Sequence, residues 1–126
     1  MVELMVVVVI VAVLAAVAIP MYGKYAYRAR RADGQDLLQR IAMAQERFYA
    51  TNNHYGSLAD IGFANPAISE KTYYSVTSAF PGNNNLKFLA TAAPQGAQQN
   101  DDCGSLTVNN AGARAATGST SNGTCW

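Results

Sequence analysis

The chain has 126 residues, 50% of them apolar and only 13% charged, about half the charged complement of an average soluble domain. Its net charge is +1, so no bulk field steers a polyanion toward it. The length holds one core with an appendage rather than two full domains, and the uneven spread of charge excludes both a simple soluble globule and a disordered chain.

Residues 1–23 carry one charge, Glu3. Leu4 to Ile19 is an unbroken apolar run, ended by Pro20. With Met1, Val2, Met21 and Tyr22 it reaches the ~20 residues that cross a hydrocarbon core of roughly 30 Å. Tyr22, Tyr25 and Tyr27 follow, interleaved with Lys24, Arg28, Arg30 and Arg31. A membrane–water boundary favours such aromatics and cations. The same mixture could hold nucleic acid by stacking and phosphate contacts, but its place beside the apolar run favours anchoring or contacts inside an assembly. A core helix is the weaker reading, because a head of ~100 residues could hardly cover such a helix on every side. A cleaved signal peptide fits poorly, since no basic residue precedes the run and a proline follows it.

Glu3 stands out. A carboxylate costs roughly 2.5–3.5 kcal/mol at the centre of a membrane helix and less near its end. In the first turn the helix dipole favours it. It reads either as an acid at headgroup level or as one that meets a positive partner when the helix leaves lipid. The flanking charges add a conflict. Lys24 to Arg31 would hold the following domain in the cytoplasm, whereas Cys103 and Cys125 point to an oxidising compartment. Both hold if stronger positive charge lies upstream, so the sequence predicts a basic leader ahead of Met1.

Beyond Pro20 helix is expected to about Asn52. Pro20 removes a backbone donor and predicts a kink; Gly23 and Asp33-Gly34 are weak points, with Asp33 able to cap a restarted helix. Leu37, Leu38, Ile41, Ala42, Gln45, Phe48 and Tyr49 recur at helical period and form one apolar face. Asp36 and Arg40 form an i,i+4 pair on the solvated side. Residues 53–72 read as an irregular connector, anchored by Leu58, Ile61 and Phe63. Strands are predicted at 73–80, 86–92 and 105–108, with a turn at 81–85, a polar loop at 95–102 and a second turn at 109–112. The expected fold is α+β: a long N-terminal helix, apolar in its first half and amphipathic in its second, packed on a small antiparallel sheet. The expected division is a transmembrane or filament-core segment at 1–23 and a head at 24–126. The head comprises the amphipathic helix 24–52, the connector 53–72 and the sheet with its C-terminal region at 73–126.

Cys103 and Cys125 bracket a tail poor in apolar residues. Pairing them closes a loop of 23 residues, worth about 3 kcal/mol by loop entropy. Zinc is the rival reading, and two cysteines without a nearby histidine make a poor site for it.

Val2-Glu3-Leu4-Met5-Val6, followed by VVVIVAVLAAVAIP, resembles the N-terminal helix of type IV pilins and their pseudopilin relatives. In that family a prepilin peptidase removes a short basic leader, the new N-terminal phenylalanine is methylated, and a proline lies seventeen residues after a glutamate. Glu3 and Pro20 have that spacing. The leader and the first two mature residues are missing, and Met1 stands where the family has leucine. Ala12 replaces a glycine common in these pilins, in a stretch of helix thought to loosen in the filament; alanine favours helix by about 1 kcal/mol. The resemblance implies a subunit that waits in the inner membrane with its head in the periplasm. The assembly machinery then extracts it and packs it beside other copies in an extracellular filament. It implies that Glu3 is satisfied by a neighbour's N-terminal amine, and it supports a Cys103–Cys125 disulfide near the chain end. It covers the first fifty residues closely and the head in architecture only.

No catalytic constellation, cofactor motif or metal-ligand spacing appears, and no enzyme is expected. His54, the single histidine, reads as a surface loop residue. Asp101-Asp102 reads as a solvated acidic pair rather than a cation site, and Asn122-Gly123-Thr124 is a short match to the glycosylation sequon. The leading functional reading is a structural pilus subunit serving adhesion, twitching motility or DNA uptake. The alternatives are a minor pilin whose head binds DNA for natural transformation, and a pseudopilin of type II secretion. Lys87 and Arg114 are the only cations from residue 80 onward, a weak footprint for DNA.

Overall fold

The computed structural model describes residues 1–126. One helix, α1, runs from Val2 to Asn52. At 1.5 Å per residue its 51 residues span roughly 75 Å. The helix passes through Pro20, Gly23 and Asp33-Gly34 without interruption, so the expected restart at Asp33 does not occur. It ends where Asn53 turns left-handed (φ 58°) and donates its N–H to the Tyr49 carbonyl. Asparagine tolerates that conformation better than most residues.

Five strands form one antiparallel sheet in the order β1-β2-β3-β4-β5. They are β1 (Ala67–Ile68), β2 (Tyr74–Ala79), β3 (Leu89–Pro94), β4 (Leu106–Asn109) and β5 (Arg114–Ala116). The three expected strands are therefore flanked by two short ones. Two and three residues give too little alternation for a period to show, so β1 hid in the expected connector and β5 in the expected polar tail. β3 also begins later than expected, because Phe88 turns inward beneath Tyr55 (ring centroids 4.9 Å apart) and Leu86-Lys87 stay in the exposed loop.

The core lies between the second half of α1 and the sheet. Leu37, Leu38, Ile41 and Gln45 are buried on the helix, and Ala42, Phe48 and Tyr49 flank them half-buried. The buried strand residues alternate, as a one-sided sheet requires: Tyr74 and Val76, Ala90 and Ala92, Leu106 and Val108. Alanines on the middle strand let the helix lie close. Gly34 does the same at the lower end, since a Cβ there would sit 2.7 Å from the Tyr74 ring. Leu58 anchors the 53–66 connector fully, while Ile61 and Phe63 are only half-buried. The Gln45 side chain bonds both the carbonyl and the N–H of Gly56, tying the connector back onto the helix.

Candidate functional site

Two features of α1 matter for function: an N-terminal half that touches nothing, and a middle that is locked to the head. Every residue from Met1 to Tyr25 is exposed. The most apolar eighteen-residue window has none of its residues buried. That window comprises contiguous Val, Leu, Ile, Met and Ala side chains, far more apolar surface than a soluble monomer leaves bare. Glu3 lies in its first turn and makes no ion pair or side-chain hydrogen bond within the chain. Pro20 lies near the end of the apolar run, roughly 25 Å from Glu3 along the helix.

The head grips the helix immediately above this span. Arg31, assigned from sequence to a membrane-flanking cluster, is instead buried (2% exposed). Its Nε and Nη2 donate to the two carboxylate oxygens of Asp101 at 2.7 and 2.5 Å. Its Nη1 donates to the carbonyls of Asn122 and Thr124. Asp101 thus belongs to the core rather than to a solvated acidic pair. The bidentate match of planar guanidinium and carboxylate is the strong form of this contact, and it holds the guanidinium above its usual pKa, against the opposing effect of burial. Gln98, buried in the short helix η1 (Gly96–Asn100), donates its Nε2 to the Tyr27 carbonyl and to Tyr74 Oη. Burial pushes the Tyr74 phenol upward, so it stays neutral.

The Cys103–Cys125 disulfide closes the C-terminal strap onto the same stretch of helix. Gln35 donates to the Cys125 carbonyl and Asn122 to the Lys24 carbonyl. The Asn122 side chain is therefore engaged inside the fold, which turns the sequon into a structural contact. Asp33 caps the 69–73 turn, accepting from Ser69 Oγ at 2.5 Å and from the N–H groups of Lys71 and Tyr73. Arg30 stacks on Tyr73, 4.7 Å from the ring centroid. His54 is exposed and contacts the Asn52 carbonyl. Asp36 and Arg40 pair at 3.0 Å on the solvated face. The structure brings Cys103 and Cys125 together; it does not bring Glu3 or Pro20 near the head.

A family model described as "Type IV minor pilin ComP, DNA uptake sequence receptor" matches residues 20–107, most of the chain. This chain belongs to the type IV pilin family. It is also similar to the type IV major pilin protein PilA of Myxococcus xanthus, 35% identical over 80 residues, covering 63% of this chain. The chain spans 36% of that relative's length. Among solved structures, a type IV pilin from Shewanella oneidensis is similar, with a TM-score of 0.57 at 28% identity, covering 79% of this chain and 97% of that one. The Neisseria meningitidis non-core minor pilin PilV shares the fold, with a TM-score of 0.57 at 22% identity, covering 81% and 95%.

Membership of the pilins gives the bare helix a purpose. Pilins assemble with other pilins, and an apolar helix exposed on all sides is stable only when lipid or other helices cover it. The sequence reasoning missed the Arg31–Asp101 lock. A signal was present: Arg31 lies seven and ten residues before Leu38 and Ile41, on the stripe that faces the core.

Proposed function

We propose that this pilin is a structural subunit of a type IV pilus and polymerises through residues 1–23. The observation that carries the reading is the fully exposed apolar half of α1, continuous with a helix that the head clamps rigidly. Before assembly lipid covers that half, with the head on the periplasmic side, after a prepilin peptidase has removed a leader. After assembly, other copies cover it in an extracellular filament. Glu3 is then the one charge inside the filament core. An unpaired buried carboxylate is very costly, so pairing it with a neighbour's N-terminal amine selects one axial stagger. Electron microscopy with antibody labelling of cells making this pilin alone, and of cells making it beside another pilin, tests the reading. An abundant homopolymer marks a major subunit, and a few copies in filaments built by another pilin mark a minor one. A chain found in no filament contradicts both.

A second reading is a minor pilin whose head captures DNA. Two observations favour it: the description of the matching family, and the exposed Arg114 over the half-buried Trp126, 5.4 Å from the ring centroid, which joins a cation to an aromatic ring. Binding of duplex DNA by the pilin, weakening steeply with salt and lost in Arg114→Gln, supports this reading. No binding at low salt ends it.

A further inference from the structure

Four cations lie on α1 between the apolar span and the core, and the head treats them differently. Arg31 is buried in its pair with Asp101, and Arg30 is half-buried on the Tyr73 ring. Lys24 and Arg28 are exposed, and neither makes an ion pair or a side-chain hydrogen bond within the chain. At i,i+4 they share one face of the helix. The C-terminal strap fixes that face. Asn122 donates to the Lys24 carbonyl, and the Arg28 stem runs beside Gly123, its Cδ 3.3 Å from where a Cβ on that glycine would lie. Exposed Tyr22 and Tyr25 flank Lys24. No Asp or Glu occurs from Leu4 to Ala32. The two acids next to the strap are engaged already, Asp101 with Arg31 and Asp102 with the Ser121 hydroxyl.

We infer that Lys24 and Arg28 hold the phosphates of anionic phospholipids, so that the strap end of the head rests on the membrane surface before assembly. This rests on the reading above that lipid covers residues 1–23. Height supports it. Lys24 stands roughly 7.5 Å along the helix beyond Ile19, and Arg28 roughly 13.5 Å. The headgroup layer fills roughly the first 5–8 Å outside the hydrocarbon, so Lys24 stands within it and Arg28 just above. Side chains on a helix tilt toward its N-terminus, here toward the bilayer, and a long cationic side chain extends its charge to the phosphates. Arg40 lies far above and is already paired with Asp36. Charge selects the lipid: two unmatched cations with no acid near them on the helix are drawn to an anionic surface and gain little from a zwitterionic one. The tyrosines at this level suit the same boundary. A second copy is the weaker occupant, because residues 4–32 of its helix offer no acid to meet these cations either.

The test uses the full chain, reconstituted in vesicles of equal phosphatidylglycerol and phosphatidylcholine and then released into mild detergent, with retained lipid counted by native mass spectrometry. Phosphatidylglycerol is expected to exceed phosphatidylcholine on the parent by about thirtyfold, or about fivefold for each cation. The ratio falls to near one in Lys24→Gln with Arg28→Gln. Lys24→Arg with Arg28→Lys keeps the preference, and so does Arg30→Gln. A parent ratio near one, an unchanged ratio in the double glutamine variant, or loss of the preference in the charge-keeping variant or in Arg30→Gln alone overturns the contact. Retention of millimolar inorganic phosphate by the parent in lipid-free detergent marks a free-anion site and overturns it too. Filaments separate the two readings. Abundant filaments from a chain without lipid preference leave the filament reading standing, and a strong preference in a chain found in no filament leaves the lipid contact standing.

Discussion

Arg31 and Asp101 lie seventy residues apart in sequence and form a buried, bidentate ion pair. The pair joins the base of the head to the helix just above the apolar span, and it organises the C-terminal strap through the Asn122 and Thr124 carbonyls. Removing one partner leaves the other charged and buried, at a cost of about 3–5 kcal/mol. Asp101→Ala should therefore lower the denaturant midpoint of the detergent-solubilised pilin sharply. Arg31→Met with Asp101→Leu should recover most of the loss, because a well-packed apolar pair can replace a buried ion pair. A loss below about 1 kcal/mol in Asp101→Ala would mean that the pair behaves like a surface bridge.

Gly34 sets helix propensity against packing. Alanine favours a helix interior by about 1 kcal/mol, so propensity alone predicts that Gly34→Ala stabilises. The Tyr74 ring stands 2.7 Å from where the new Cβ would lie, and Tyr74 is fully buried with its hydroxyl held by Gln98. Overpacking of this kind costs about 1–3 kcal/mol. Gly34→Ala is expected to melt lower than the parent, and a higher melting temperature would refute the close approach.

Tyr55 gives the head an alkaline limit. Its ring is buried between Tyr49 and Phe88, and its hydroxyl donates to Glu46 at 3.0 Å. Burial, then the Glu46 carboxylate, pushes the phenol up to about 12. The unfolded chain loses that proton near pH 10. The folded state therefore keeps its full advantage below pH 10 and loses it as pH rises toward 12. Tyr55→Phe should remove this step from the stability–pH curve while costing about 1 kcal/mol at neutral pH for the lost hydrogen bond. An unchanged alkaline limb would assign the step to another group.

The disulfide holds a strap with little core of its own. Cys103→Ser with Cys125→Ser should cost about 3 kcal/mol on the loop-entropy scale. It should also speed amide exchange first in the strap and then around Arg31, two of whose acceptors, the Asn122 and Thr124 carbonyls, lie on it. Uniform loss of protection across the sheet would contradict that local order.

The helix, its apolar half and its amphipathic stripe were legible in sequence because each rests on a long period or a long run. Leu37, Leu38 and Ile41 announce a buried face by spacing alone. The edge strands Ala67–Ile68 and Arg114–Ala116 were not legible; they are held by pairing to Val76 and Ser75 and to residues 106–108, which local composition does not encode. Arg31 was read as a boundary cation because its neighbours Lys24, Arg28 and Arg30 share its charge. Only a partner seventy residues away reveals that it faces inward. Asp101 hid for the same reason beside Asp102, which is exposed and takes only the Ser121 hydroxyl.

Glu3→Ala offers the most direct test of whether the apolar half of α1 polymerises around its one charge. Cells carrying the variant should place as much pilin in the inner membrane as the parent, since removing a charge does not impair insertion. They should show few or no filaments by electron microscopy, beside abundant ones in the parent. Filaments of parental number and helical order from Glu3→Ala cells would contradict the account.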